Sequence, residues 1–287
     1  MAEIKLFVSC HEAAPVPEHP LLVPIQVGAA LSRDRFPGFL HDDTGENISS
    51  KNRSYCELTA QYWAWKNVCA DYCGFFHYRR YLYPNIEAKR PYRMESIPTS
   101  RLLEKLGYGS FASLISKYDI LLPKGEDMYV PVREHYADAP FHHRGDLMRI
   151  EEIVRREYPD YVQAMERYLS GSVCYFGNIF IMRWEYFISY CNWLFSILSE
   201  FDRTARTDVY TAQEQRVDGY LAERLLGVYV TWLREDVSAR TVELPRVHFE
   251  PDGMRLWKKR TVNCILPPGS RRRAAAKKVL KKRIYAL

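Results

Sequence analysis

The chain contains no CxxC pair, no apolar run long enough to cross a bilayer and no internal repeat. Its seven cysteines (Cys10, Cys56, Cys69, Cys73, Cys174, Cys191 and Cys264) are odd in number and irregular in spacing. That excludes a disulfide framework or a CxxC-type zinc or redox site, and points to reduced thiols in a cytosolic protein. Cys69 and Cys73 lie four residues apart without a further ligand nearby, so packing accounts for them. The longest apolar stretches, such as 186–198, are interrupted by Ser, Cys and Asn, and fall short of the roughly 20 residues a spanning helix needs. The protein is expected to be soluble or peripheral. Residues 1–9 run straight into a strand-like segment without the charged and long apolar regions of a secretory signal.

What is present is a body able to bury a large core, 47% of its 287 residues being hydrophobic and 26% charged, consistent with one α/β domain. The net charge of +6 is uneven. Residues 271–287 carry eight Lys and Arg and no acid, more than the whole surplus, so the body is slightly acidic. Pro267-Pro268-Gly269-Ser270 separates the two, dividing the chain into a domain at 1–266 and a tail at 267–287. In the tail, Ala276, Val279, Leu280, Ile284 and Leu287 recur at helical spacing opposite the cations. Such a basic amphipathic helix suits an anionic membrane surface, where each cation contributes about 1 kcal/mol. Nucleic acid is the weaker partner, because the body carries no nucleic-acid module and no positive excess; a solvated tail without a partner is the plain alternative.

Along the chain, 4–9 reads as a strand followed by a proline-rich loop from His11 to Pro24, and 26–31 as weakly helical or extended. Ser49 or Asn52 can cap a helix from about Ser54 to Val68. A buried strand ends at His77, and 84–98 reads as loop. A helix at 100–116 leads to a strand at 118–123; helices at 146–158 and 160–169 precede a strand at 174–182, with Gly177-Asn178 at its start. The aromatic stretch 184–201 reads as a helix that packs the core. Residues 211–234 read as an amphipathic helix with Gly219 and Gly227 at close approaches, and 241–247 as a last strand.

Three polar side chains follow the buried strand directly: His77, Arg79 and Arg80. In open α/β sheets ligands bind at the carboxyl ends of strands, and arginine forks bind phosphate bidentately. The cluster can hold the two phosphates of a nucleotide sugar and stabilise a leaving group, the plain alternative being a structural ion-pair cluster. The loop beginning at His11 sits at the same end. Asp42-Asp43-Thr44-Gly45-Glu46-Asn47 can bind Mg²⁺ or Mn²⁺ or ribose hydroxyls, although an Asx-turn explains it equally well. Glu134-His135 and His142-His143 offer an imidazole or carboxylate as a general base. Glu223 and Arg224 point in different directions, so one can enter a site while the other pairs on the helix surface.

The stretches Pro24-Ile25-Gln26-Val27-Gly28-Ala29, Asp42 to Ser49, Tyr55 to Ala60, Tyr62 to Asn67, His77-Tyr78-Arg79-Arg80-Tyr81, Glu134-His135-Tyr136, Asn178 to Met182 and Glu223-Arg224-Leu225 resemble a family of small bacterial glycosyltransferases from capsule, exopolysaccharide and lipopolysaccharide gene clusters, domain-of-unknown-function family 4422. The resemblance covers roughly residues 3–250. It implies a GT-A-like, Rossmann-related single domain with a central, mostly parallel sheet, to which the tail adds a C-terminal helical appendage. The implied activity is transfer of a hexosyl group (galactose, galactofuranose or glucose) from a UDP-sugar to a hydroxyl of a lipid-linked saccharide in capsule, exopolysaccharide or O-antigen synthesis, at the inner face of the cell membrane. A non-catalytic nucleotide-sugar or saccharide binder is the alternative. Where that fold usually carries a metal-binding Asp-x-Asp, this chain has His77-Tyr78-Arg79, so no metal is expected to be required, though Mg²⁺ or Mn²⁺ stays open. The implied roles are diphosphate stabilisation by His77, Arg79 and Arg80, base catalysis by Glu223 or His135, and substrate binding by His11, Asp42, Asp43, Asn47, Lys51, Asn52, Glu57, Glu134, Asn178 and Arg224.

Overall fold

In the computed structural model, which describes residues 2–284, the first apolar run forms strand β1 (Ile4–Cys10). Its side chains alternate, Phe7 packing into one hydrophobic cluster and Leu6 and Val8 into another on the opposite face. Next come β2 (Leu22–Gln26), β3 (Leu40–His41), helices α1 (Asn52–Tyr55) and α2 (Leu58–Asn67), and β4 (Tyr72–His77). They are followed by β5 (Arg80–Leu82), β6 (Tyr92–Glu95), α3 (Ser100–Lys105), α4 (Phe111–Ile115), β7 (Ile120–Pro123) and β8 (Glu126–Asp127). Helices α5 (Val132–Ala137), α6 (Arg144–Glu157) and α7 (Val162–Ser170) precede β9 (Val173–Cys174) and β10 (Phe180–Arg183). The long helices α8 (Trp184–Thr204) and α9 (Val217–Glu235), strands β11 (Thr241–Leu244) and β12 (Arg246–Phe249), and helices α10 (Gly253–Ile265) and α11 (Arg271–Ile284) complete the order.

The central sheet runs β11-β7-β10-β4-β1-β2-β3. β1 pairs in parallel with β2 and β4, and β10 is antiparallel to both β4 and β7. It is a mixed, mostly parallel α/β sheet, as expected. One face buries Phe7, Cys73, Phe75 and Phe180 under the aromatic helix α8 and its neighbours α2, α6, α7 and α9. The other buries Leu6, Val8, Tyr72 and Phe76 against α3, α4 and a side wall of β5, β6 and β12.

The topology gathers one rim. β1 and β4 are parallel with Ser9 opposite His77, so His11 and Tyr78 emerge side by side. β10 runs the other way, so the turn that precedes it, Gly177-Asn178, arrives at the same rim.

Several local expectations are corrected. The proline-rich loop contains β2: Val27 donates to the Cys10 carbonyl on the β1 side, so Pro24 turns its nitrogen toward β3, whose ladder starts only at Ile25. The helix expected at 54–68 is broken at Cys56, whose φ is 51°, and neither Ser49 nor Asn52 caps it through a side chain. The segment 84–98 contains β6, and 100–116 divides into α3 and α4 around a 3-10 turn at Tyr108–Ser110. The strand expected at 174–182 is two strands separated by the Gly177-Asn178 turn, and 241–247 is two strands separated at Pro245. Both anticipated close approaches exist: a Cβ at Gly219 would lie 3.3 Å from Cys56 Sγ, and one at Gly227 would overlap the Tyr168 ring. The tail is helical from Arg271 to Ile284; the apolar stripe of Leu280, Ile284 and Leu287 lies outside the described side chains. Among the described residues no helix is long and apolar enough to cross a membrane.

Candidate active site

Five segments meet at the rim: the end of β1, the end of β4, the α1–α2 break, the Gly177-Asn178 turn and the first turns of α9. The break and the turn both carry a non-glycine residue at positive φ, Cys56 and Asn178, each at 51°. Strain of this kind persists only where the surroundings hold it. Here Asn178 Nδ2 donates to Glu57 Oε1 at 2.8 Å and to the Gly219 carbonyl at 3.1 Å, while Gln61 Nε2 donates to the Asn178 carbonyl. The absence of a side chain at Gly219 is what lets α9 approach Cys56.

Around this frame sit the charged groups. Glu223, on α9, accepts from the Gly177 N–H at 2.6 Å, and its second oxygen lies 3.5 Å from Arg224 Nη1. Burial of Glu57 pushes its carboxyl up, and the Glu223 charge adds to the rise. Arg216, at the start of α9, faces Cys56, Glu57 and Tyr220 and its charge reaches His11 and His77. Arg80 Nη1 lies close to Gly177, where an added Cβ would sit 3.6 Å away. Among the described residues no acid forms an ion pair with Arg80.

Burial, followed by the charges of Arg80, His11, Arg79 and Arg216, lowers the His77 pKa to about 3. The ring is therefore neutral at pH 7. Its Nδ1 accepts the Arg79 backbone N–H, which leaves Nε2 as the donor. Arg79 itself stacks on Tyr78 and pairs with Glu12 at 3.1 Å, both partners more than half exposed. Such a pair is worth little, so the guanidinium is free to move to a stronger anion.

The sequence candidates thus divide. His11, His77, Arg79, Arg80, Glu57, Asn178 and Glu223 are brought together. Asp42 is not available: fully buried, it accepts from the N–H groups of Gly28 and Ala29 and from the Ser49 hydroxyl. Asp43 is forked by Arg35, and Asn47 closes an Asx-turn through Ser49 N–H and two carbonyls. Lys51 turns toward Asp202 at 2.8 Å, and Asn52 binds the Cys56 carbonyl and Thr59 hydroxyl, supporting the break. Glu134 pairs with Arg144 at the surface, and the His135 ring meets Phe176 edge-on. His142 lies between Tyr136 and Tyr220, and His143 stacks on Tyr210. Arg224 does not pair on the helix surface: it is buried, its guanidinium over Tyr136 and Phe176. Arg216 is the member that sequence reasoning left out of the site; its one signal was its place one or two turns before Glu223.

Among the described residues no group of three or more His, Cys, Asp or Glu side chains is arranged to hold a metal ion. Asp42 and Asp43 of the 42–47 turn are engaged as above, Glu46 pairs with Lys66 at 3.2 Å, and the strand end offers cations.

A family model described as "Domain of unknown function (DUF4422)" matches residues 5–235. The chain belongs to this family. Among solved structures, the apo structure of the WbbM bifunctional glycosyltransferase superposes with a TM-score of 0.82 at 34% sequence identity, over 86% of this chain. The match spans 45% of that protein, so this chain corresponds to less than half of it. The fold is that of a glycosyltransferase domain. No curated protein matches the chain.

Proposed function

We propose that the chain is a glycosyltransferase that moves a hexosyl group from a UDP-sugar to a hydroxyl of a lipid-linked saccharide in the assembly of a bacterial surface polysaccharide. The observation that carries the reading is the meeting of Arg79, Arg80, Arg216 and neutral His77 with the Glu57–Glu223 pair at the carboxyl ends of β1 and β4, in a chain alike over most of its length to a glycosyltransferase.

The arginines neutralise the departing diphosphate, and His77 Nε2–H donates to it. The cationic set takes the place a divalent metal has in related folds, and no metal is required. Glu223, held by the Gly177 N–H and faced by Arg224, accepts the proton of the acceptor hydroxyl as its oxygen attacks the anomeric carbon and the bond to the diphosphate breaks. Glu223 is preferred to His135 because it shares the rim with Arg80 and Glu57. Galactose, galactofuranose and glucose are the donors to test. The basic segment 271–287 holds the protein to the inner face of the membrane, and nucleic acid is not a partner.

The test is a panel of nucleotide sugars read by thermal shift and UDP release, with EDTA or Mn²⁺, on wild type and Arg79→Ala. EDTA-resistant release that falls in the variant supports the reading. Stabilisation by a nucleotide sugar without its consumption, with or without any acceptor, makes the protein a binder.

A further inference from the structure

Helix α10 lies beyond the residues matched by the family model, and its two sides differ sharply in chemistry. Its inner side is fixed. Leu256 and Asn263 are buried, the Arg260 guanidinium donates to the Met94 carbonyl of β6, and Lys259 pairs with Glu250. Its outer side carries Met254, Trp257 and Ile265, each about two-thirds exposed (69%, 66% and 68%). With Thr261 these follow at spacings of three, four and four, which is one helical face. Three large apolar side chains on one short helix exceed the scattered single exposures that any surface shows.

The cations decide what covers this face. Arg255 and Lys258 lie along its edge, and Arg271 and Arg272 begin the next helix, both exposed. Between α10 and the β5–β6–β12 wall runs a cleft of about 700 Å³, lined by Arg79, Arg80, Arg255, Lys258 and Arg273, whose charges outnumber those of Glu12, Glu250 and Asp252 beside them. An apolar stripe with Trp at its middle and a basic border matches the acyl boundary and phosphate layer of an anionic bilayer; it does not match a second copy of a surface that carries the same positive charge.

We infer that α10 is a membrane-docking helix, which inserts Met254, Trp257 and Ile265 among the headgroups of an anionic bilayer and sets the mouth of the basic cleft at the phosphate layer. The insertion reaches about 5–10 Å. The inference deepens the membrane part of the function proposed above: α10 supplies an apolar anchor, and the cations of 271–287 add electrostatic attraction. A lipid-linked acceptor then enters the cleft along α10 and reaches Arg79 and Arg80 without leaving the surface.

The experiment is co-sedimentation of the full chain with vesicles of pure phosphatidylcholine and of phosphatidylcholine with phosphatidylglycerol, for wild type and the triple variant Met254→Ser, Trp257→Ser, Ile265→Ser. Trp257→Phe is compared with wild type in tryptophan quenching by brominated lipids. All three side chains point outward, so the variant's thermal midpoint serves as the control for folding. The expected result is binding of wild type to the anionic vesicles, at least about tenfold weaker binding of the triple variant, and lipid quenching lost in Trp257→Phe. Equal binding of the triple variant would assign attachment to the basic tail alone and overturn the inference. So would absence of binding by wild type, or self-association of wild type that the triple variant abolishes. UDP release in detergent-free buffer without vesicles is measured in parallel: its loss in wild type counts against the transferase reading, and its retention with failed vesicle binding counts against α10 only.

Discussion

The Asn178 amide donates to the Glu57 carboxylate across 121 residues of sequence, at 2.8 Å, and so ties together two turns whose central residues, Cys56 and Asn178, both hold positive φ. The bond fixes one wall of the rim against α9, because the same amide also reaches the Gly219 carbonyl. Asn178→Ala removes both bonds and places alanine in a left-handed conformation. It is expected to cost about 2–3 kcal/mol of stability and most of the activity, whereas Asn178→Gly keeps the backbone and recovers part of the stability. Chemical denaturation of the two variants checks the order.

Arg79 and Arg80 are predicted to behave differently. Arg80, next to Gly177 and without an acidic partner among the described residues, is already aimed at the rim, and Arg80→Ala lowers kcat/KM by about 100-fold with little change in stability. Glu12→Gln frees Arg79 from a surface pair, so it leaves stability within about 0.5 kcal/mol and does not raise KM for the donor. Steady-state kinetics on purified variants decide both.

Asp218 lies buried beside Ser54, and burial, with Asp202 nearby, raises its pKa to about 7. A raised carboxyl pKa means that the folded chain binds a proton the unfolded chain has released. Stability from this group is complete below the ordinary carboxyl value and is lost as pH rises toward 7, on the order of 1 kcal/mol per pH unit. Asp218→Asn removes that slope and is more stable than wild type at pH 8 but not at pH 4. Thermal midpoints across pH test it.

His77 and His248 act in the opposite sense, since burial lowers both, to about 3 and about 2. The unfolded chain takes protons that the folded chain refuses, so stability falls as pH drops below about 6.5. His77→Gln is expected to flatten that fall, and NMR of the imidazole protons to show a neutral ring at pH 6.

The two glycines of α9 separate packing from site geometry. Gly227→Ala meets the Tyr168 ring and is expected to destabilise by about 1–3 kcal/mol. Gly219→Ala comes within 3.3 Å of Cys56 Sγ, closer than ordinary contact but far short of the overlap at Gly227, so its cost falls on the Cys56–Glu57 turn and on turnover more than on the melting temperature.

The strand ending in His77 and the position of the arginines after it were legible because a short continuous apolar run followed by clustered cations is a local signal. So were the two glycine approaches and the core helix read at 184–201, which runs on to Thr204. The Pro24 strand was hidden by its composition, since only the absence of a β3 partner opposite that nitrogen makes a proline acceptable there. The break at Cys56 was hidden because no residue type announces positive φ at a cysteine; the contact that holds it comes from α9. Lys51 and Asp42 have the right chemistry for a ligand, but Asp202, 151 residues from Lys51, and the Gly28-Ala29 amides, 14 and 13 residues from Asp42, claim them. Arg216 joins the site only through the fold.

The most direct test of the central claim is UDP release from the nucleotide-sugar panel in EDTA, with a soluble saccharide acceptor, by wild type, Arg80→Ala and Glu223→Gln of equal thermal stability. The account predicts acceptor-dependent release by wild type that persists without metal and falls at least about 100-fold in each variant. Release that requires Mn²⁺, or that proceeds unchanged in both variants, would contradict it.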